Sequence, residues 1–181
     1  VDRVVNKMEA RTMEFMDLAK ARFSLRSYSD REVEPEKLTK ILEAGRIAPT
    51  AKNNQPQRIY VLQGESITKA VKASRCTFGA PVVLVICYDK NDAAVLPMNS
   101  VNFGFVDASI VITQMMLQAT ELGLGSCWIG LFDEKIIRET LELPDDYVPV
   151  ALLPLGYAAD VATPSERHHD RKPLEQTVKY L

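Results

Sequence analysis

The 181-residue sequence predicts a single α+β domain in which helices cover both faces of a β-sheet. Runs of β-branched and apolar residues at 58–63, 81–88 and 148–156 indicate strands. The longest helical pattern, at 105–122, spreads apolar residues beyond one stripe, which is typical of a helix buried on more than one side. No internal repeat, low-complexity segment or second apolar core divides the chain, so we expect one domain over residues 13–181.

Composition and charge restrict the function classes. The chain is 46% hydrophobic and 25% charged, as in an ordinary globular protein. Its net charge of -2 lacks the basic excess of a general nucleic-acid binder, so any anion site is expected to be local. No apolar run reaches the roughly 18 residues that span a bilayer, and no signal-peptide pattern is seen, which predicts a cytoplasmic protein with no membrane partner. Residues 1–12 are expected to be an N-terminal extension whose origin the sequence leaves open.

The first half of the domain is predicted as helix, helix, loop, strand, helix and strand. Residues 13–21 suit a short helix, and Glu34 followed by Pro35 predicts the start of a second helix that stops near Gly45. The polar, turn-rich residues 49–57 predict a loop. A helix at about 66–73 is expected to join the first two strands.

The second half is predicted to begin with an irregular excursion at residues 89–102. The long helix then ends at Gly123 as a C-terminal cap. A short strand at 126–129 follows, and Asp133 is a suitable N-cap for a helix through Leu141. The residues after the last strand, 157–173, lack periodicity.

Several chemistries are disfavoured by motif. The cysteines form no C-x-x-C pair and the two histidines, His168 and His169, are adjacent, so no metal site or redox dithiol is predicted. The glycines at 123 and 125 do not form a dinucleotide-binding fingerprint. They follow a helix where the fingerprint follows a strand, and its third glycine position is occupied by Trp128. No P-loop or G-x-S-x-G motif occurs. Cys127 lies in an apolar strand and is interpreted as a core thiol.

A basic cluster at 22–26 is the strongest candidate for binding. Arg22 and Arg26 flank Ser24, and guanidinium groups suit oxyanions. Taken alone, the cluster is more typical of a basic pair on a solvated surface. Other polar segments, at 50–55, around Gly130 and in the basic tail that ends at Arg171, would complete a site for a ligand with a phosphate at one end and a flat polar ring at the other.

Four ordered blocks give a specific resemblance. The chain carries R-x-S-x-R with Y-S-D, then A-P-T-A-K-N-N-Q-P, then E-L-G-L-G-S-C-W-I-G, then R-K-P-L-E. In this order and over residues 13–181, it resembles the nitroreductase family of FMN-dependent oxidoreductases. The resemblance implies a mixed, mainly antiparallel central sheet sandwiched by helices. It also implies a homodimer with FMN at the interface and NAD(P)H as co-substrate.

The resemblance assigns roles within one protomer. Arg22 and Ser24 would hold the phosphate and ribityl end, with Arg171 completing the clamp. His169 stands where relatives often have lysine, and its role is left open. Arg26 would lie at the N1 and C2-carbonyl edge of the ring, where positive charge stabilises reduced flavin. The same block includes Phe23 and Leu25 as cofactor-binding residues.

Further roles concern the ring. The backbone of Gly130 and Leu131 would meet flavin N5. A loop of the partner chain would approach the flavin through Pro49, Thr50, Ala51, Asn53 and Gln55. Two departures from relatives, Gln57 in place of an aromatic residue and no helical insertion at 89–102, suggest an open pocket with different ring packing.

The resemblance implies ping-pong reduction of nitroaromatics, quinones or related acceptors, with no covalent or acid-base residue and no metal. The alternative is a flavin-binding carrier or sensor, or a flavin-destructase-like relative, without nitroreductase turnover. The physiological acceptor and the choice between NADH and NADPH do not follow from the sequence.

Overall fold

The computed structural model describes residues 13–98 and 100–181, so the predicted N-terminal extension at 1–12 lies outside the described residues. The helices are α1 (Phe15–Ala21), α2 (Pro35–Arg46), α3 (Ile67–Ala73), α4 (Gly104–Glu121), α5 (Glu134–Leu141) and α6 (Leu174–Thr177). The strands are β1 (Gln57–Gln63), β2 (Val82–Asp89), β3 (Gly125–Ser126) and β4 (Tyr147–Gly156).

The four strands form one antiparallel sheet in the order β1-β2-β4-β3. β2 and β4 lie in the centre, and their buried, nearly continuous apolar sequences explain that position. One parallel bridge, between Ser24 and Ser126, adds the segment after α1 to the β3 edge. The predicted α+β class, with a mainly antiparallel sheet, is confirmed.

Helices cover both faces of the sheet. On one face, α2 and α4 pack on Leu84, Ile86 and Leu153. On the other face, α3 and α5 pack on alternate residues of the same strands, including Val83 and Val85. This period-2 division follows from the pleat, which sends successive side chains to opposite faces. In the described part of the chain, no helix is long and apolar enough to cross a membrane.

The predicted strand at 126–129 is shorter than expected. β3 pairs only at Gly125 and Ser126, and Ile129 returns to the sheet as an isolated bridge with Leu152. Pro154 of β4 lies between these pairings, and proline has no N–H to donate, so the ladder is interrupted there.

Several short elements were not predicted, including 3-10 turns at Gly64–Ser66, Arg75–Thr77 and Glu166–His168. The loop at 49–57 contains a 3-10 turn at Ala51–Asn53, and the four-residue helix α6 lies in the tail. None of these elements has enough residues to show a hydrophobic period, which is why sequence patterns missed them.

Candidate functional site

The basic cluster at 22–26 forms one wall of a cavity of about 200 Å³. The opposite wall is the irregular tail that follows β4, so the fold joins segments about 140 residues apart. The cavity is lined by Arg22, Phe23, Ser24, Arg26, Ser165, Arg167, His168 and Arg171. The predicted meeting of the 22–26 cluster with Arg171 is therefore present in the chain.

No carboxylate of the described residues neutralises the positive charge in this cavity. Among residues 13–98 and 100–181, none of its four arginines forms an ion pair with a carboxylate. The guanidinium groups of Arg26 and Arg171 donate instead to backbone carbonyls, at 3.3 Å to Ser24 O and 2.7 Å to Asp170 O. Such a cluster fits an oxyanion with several acceptor oxygens.

A buried leucine fixes the direction of the cluster. Leu25 is fully buried, and its N–H donates to the Ser126 carbonyl at 2.9 Å. Gly125 permits this contact, because a Cβ there would fall within the van der Waals radius of the Leu25 side chain. Ser24 and Arg26, on either side of Leu25, consequently face the cavity. Leu25 itself can offer a ligand only its backbone.

The tail presents His168 to the cavity. Its Nε2 lies 3.0 Å from the Lys20 carbonyl, and its ring makes an edge contact with Phe23, the centroids 6.2 Å apart. His169, the residue named from the sequence, lies on an adjoining basic surface with Lys20 and Arg171.

Sequence reasoning missed three lining residues of this cavity, Ser165, Arg167 and His168. The run of basic residues at 167–172 was the available signal. It could not tell which side chains face inward, because the tail has no periodic structure.

The loop at 49–55 is tied down but lies outside the cavity. Ala51 N–H donates to the buried carboxylate of Asp107 at 2.9 Å, and Gln55 N–H donates to Thr50 Oγ1 at 3.0 Å. Asn53 and Gln55 have φ values of 56° and 51°, a left-handed conformation that non-glycine residues adopt at some energetic cost. With Pro49, these are the residues predicted to serve the partner chain, and none of them lines the basic cavity of their own chain.

The backbone at Gly130 and Leu131 is open. A Cβ at Gly130 would have no atom within 4 Å, and its φ does not lie in the left-handed region, so the fold does not require glycine there. The Leu131 side chain is 77% exposed. A second cavity of about 440 Å³ adjoins this backbone and is lined by residues 73–76 and 131–133. A flat ligand could approach the backbone closely from this open side.

The thiol of Cys127 is structural. Burial raises its pKa, and this effect exceeds the opposing influence of Arg26 and the hydrogen bond with Ser24. It is therefore a poor nucleophile at neutral pH, as interpreted from the sequence. Within the described residues, no group of three or more histidine, cysteine or acidic side chains could hold a metal ion.

Comparison with known proteins identifies the family. A sequence model of the nitroreductase family matches residues 19–78 and 68–157, which include all four strands. The chain belongs to the nitroreductase family. A nitroreductase family protein from Clostridium difficile 630 has a similar solved structure, with 45% identity, a TM-score of 0.87, and 93% of this chain and 98% of that chain covered. The predicted family and fold class are thereby confirmed.

Two further relatives carry more specific names. An FMN-dependent nitroreductase from Clostridium difficile R20291 is 31% identical, with a TM-score of 0.73 and coverage of 91% of this chain and 98% of that chain. The FMN reductase [NAD(P)H] of Bacillus subtilis is 33% identical over 158 residues, which are 76% of this chain and 63% of that protein. This nitroreductase-family chain is an oxidoreductase, as predicted, and its relatives' names agree with FMN and NAD(P)H as the predicted cofactor and reductant.

Proposed function

We propose that this nitroreductase is a homodimeric FMN enzyme that uses NAD(P)H to reduce nitroaromatics, quinones or related acceptors by a ping-pong mechanism. The observation that carries the proposal is the cavity in which four arginines converge, none of them paired with a carboxylate of the described residues. A monoester phosphate bears up to two negative charges and several acceptor oxygens, and it would accept hydrogen bonds from some of these arginines. FMN has such a phosphate, and its ring requires the open backbone seen at Gly130.

The phosphate end would be held by three side chains from two segments. Arg22 and Ser24 come from the segment after α1, and Arg171 comes from the tail. His168 is added to this set because it lines the same cavity, whereas His169 lies beside it. Phe23 packs against His168 and would shield the phosphate contacts from water on one side.

The ring end would be managed by charge and backbone. Arg26 would stabilise negative charge at the N1 and C2-carbonyl edge, and the N–H of Gly130 or Leu131 would donate to N5. Bound FMN supplies hydride and electron transfer between NAD(P)H and the acceptor. The protein's part is to hold and orient the ring, to bias its potential and to leave one side open.

A homodimer would complete the site. The loop at 49–55 is held in a strained conformation away from its own basic cavity, as expected if it serves a partner. α4 also exposes apolar side chains next to this loop's anchor at Asp107, with Phe105 56%, Val106 44% and Ile110 37% exposed. A second copy of α4 would cover this apolar surface.

Absorption spectroscopy tests the proposal. The purified protein, or protein incubated with FMN, should show a bound-flavin spectrum that NADH or NADPH bleaches under anaerobic conditions. Addition of a nitrobenzene or a benzoquinone should restore it. Bleaching without reoxidation by either acceptor would favour a carrier or sensor, and permanent loss of the flavin would favour a destructase. A protein that takes up no FMN would refute the proposal.

A location in the cytoplasm remains a prediction.

A further inference from the structure

The peptide at Gly130 and Leu131 is held by hydrogen bonds rather than by side-chain packing. Gly130 has no side chain, and Leu131 is largely exposed. Upstream, Ile129 exchanges backbone hydrogen bonds with Leu152 at 2.9 and 3.0 Å. Between that anchor and α5, the carbonyl of Leu131 accepts a hydrogen bond from the Ser74 hydroxyl at 2.7 Å.

Ser74 is fixed in a way that gives its hydroxyl one direction. It follows α3 in an extended conformation and is only 6% exposed. Its oxygen accepts from Cys76 N–H at 3.1 Å, so its single hydrogen is free to donate to the Leu131 carbonyl. A second contact, from Asp133 N–H to the Ala73 carbonyl at 2.9 Å, holds the two segments together.

We propose that Ser74 is a positioning residue that aims the backbone N–H of residues 130–131 at flavin N5, an inference that rests on the proposed function. The carbonyl that Ser74 holds belongs to the peptide after Leu131. Because peptide units are planar, only φ and ψ of Leu131 separate that carbonyl from the Leu131 N–H. Fixing the carbonyl therefore restricts the direction of the N–H.

The direction of the effect follows from the chemistry of N5. In oxidised flavin N5 accepts a hydrogen bond, whereas in reduced flavin it carries a hydrogen of its own. A donor aimed at N5 consequently favours the oxidised form. Loss of the Ser74 hydroxyl should make reduction easier, and one hydrogen bond of ordinary net strength corresponds to about a two- to tenfold change in the ratio of oxidised to reduced flavin. A tenfold change is about 30 mV for a two-electron couple.

The matched control is Ser66, at the start of α3. Its hydroxyl also donates to a backbone carbonyl, that of Gln63 at 2.7 Å, and it also accepts from a backbone N–H, at 2.8 Å. Ser66→Ala removes an equivalent pair of hydrogen bonds but does not touch the 130–131 backbone.

The experiment is a reduction titration of FMN-loaded wild type, Ser74→Ala and Ser66→Ala against a reference dye, with thermal unfolding of each. We expect both variants to lose stability and only Ser74→Ala to favour reduced flavin by about two- to tenfold. A Ser74→Ala protein that binds FMN with the wild-type potential would overturn the inference and leave the proposed function intact. A wild type that takes up no FMN would overturn both.

Discussion

Individual residues divide the proposed site into a charged end and a bare end. The charged end concentrates guanidinium groups that no carboxylate of the described chain neutralises. The bare end is Gly130, where no atom lies within 4 Å of the position that a Cβ would occupy, so the backbone is uncovered. This asymmetry matches a ligand that is anionic at one end and flat at the other.

Arg22→Ala should weaken FMN binding. It would remove the proposed charge-assisted hydrogen bond to the phosphate, worth about 1.5 to 3 kcal/mol, so the Kd should rise roughly tenfold to a hundredfold. Fluorescence titration with FMN measures this directly. Arg46→Ala is the control, because Arg46 is exposed on α2 and pairs with Glu43. This variant should leave the Kd unchanged. Equal affinities for wild type and Arg22→Ala would remove this residue from the phosphate site.

Glu34 should contribute a pH-dependent part of stability. Hydrogen bonds from Tyr157, its own backbone and Arg31 lower the pKa of Glu34 to about 2, from an ordinary value of 4.5. A lowered folded-state pKa stabilises the protein above 4.5, and this stabilisation is lost as the pH falls towards 2. Urea unfolding between pH 2 and 6 should therefore show a steeper fall for wild type than for Glu34→Gln. Glu36→Gln, at an exposed position in the same turn, is the control for the removal of one carboxylate.

Elements rather than single residues fix where the basic cluster points. The segment at 22–26 joins the sheet through one bridge to Ser126, and the Leu25 side chain next to that bridge is fully buried. The approach of these two backbones depends on Gly125. The position of the charged residues is therefore a property of the β3 edge.

Two glycine substitutions separate folding from binding at this edge. Gly125→Ala places a methyl group against Leu25 and should destabilise the protein by about 1 to 3 kcal/mol, the usual range for overpacking. Gly130→Ala meets open space and should leave the free energy of unfolding unchanged while it hinders approach of the flavin ring. Chemical unfolding and FMN titration of both variants check this. A destabilised Gly130→Ala protein would mean that the chain itself needs glycine there.

The sequence was sufficient for elements with long, consistent patterns. β2 is apolar almost throughout and α4 has 18 residues, so both were predicted within one or two residues of their bounds. The strand predicted at 126–129 was too long, because the length of β3 depends on Pro154, a residue of the neighbouring strand β4. Arg22, Arg26 and Arg171 of the basic cavity could be named from motifs. The inward direction of His168 could not, because it depends on a contact with α1.

At the scale of the whole molecule, the proposed dimer would divide each flavin site between two chains. The basic cavity and the Gly130 backbone belong to one protomer, and the loop at 49–55 of that protomer does not line the cavity. Dimerisation through α4 would bring each loop to the other protomer's cavity. FMN affinity should therefore depend on assembly.

Ile110→Glu should test this dependence. It places a carboxylate in the exposed apolar face of α4 and should convert dimer to monomer, with loss of FMN. Val71→Glu is the control, since Val71 is exposed on α3, away from that face, and should leave the assembly unchanged. Light scattering with parallel absorption spectra gives both readouts. A wild-type monomer that retains FMN would contradict the proposed dimer.

The convergence of arginines has a consequence for the life of the protein as well as for its chemistry. Like charges gathered in one cavity repel one another, so a bound anion should stabilise the folded chain. A free ligand concentration of 100 times Kd adds about 2.7 kcal/mol to the free energy of unfolding, which is a large share of the stability of a small domain. If FMN is the ligand, its supply would then influence how much of this protein stays folded in the cell.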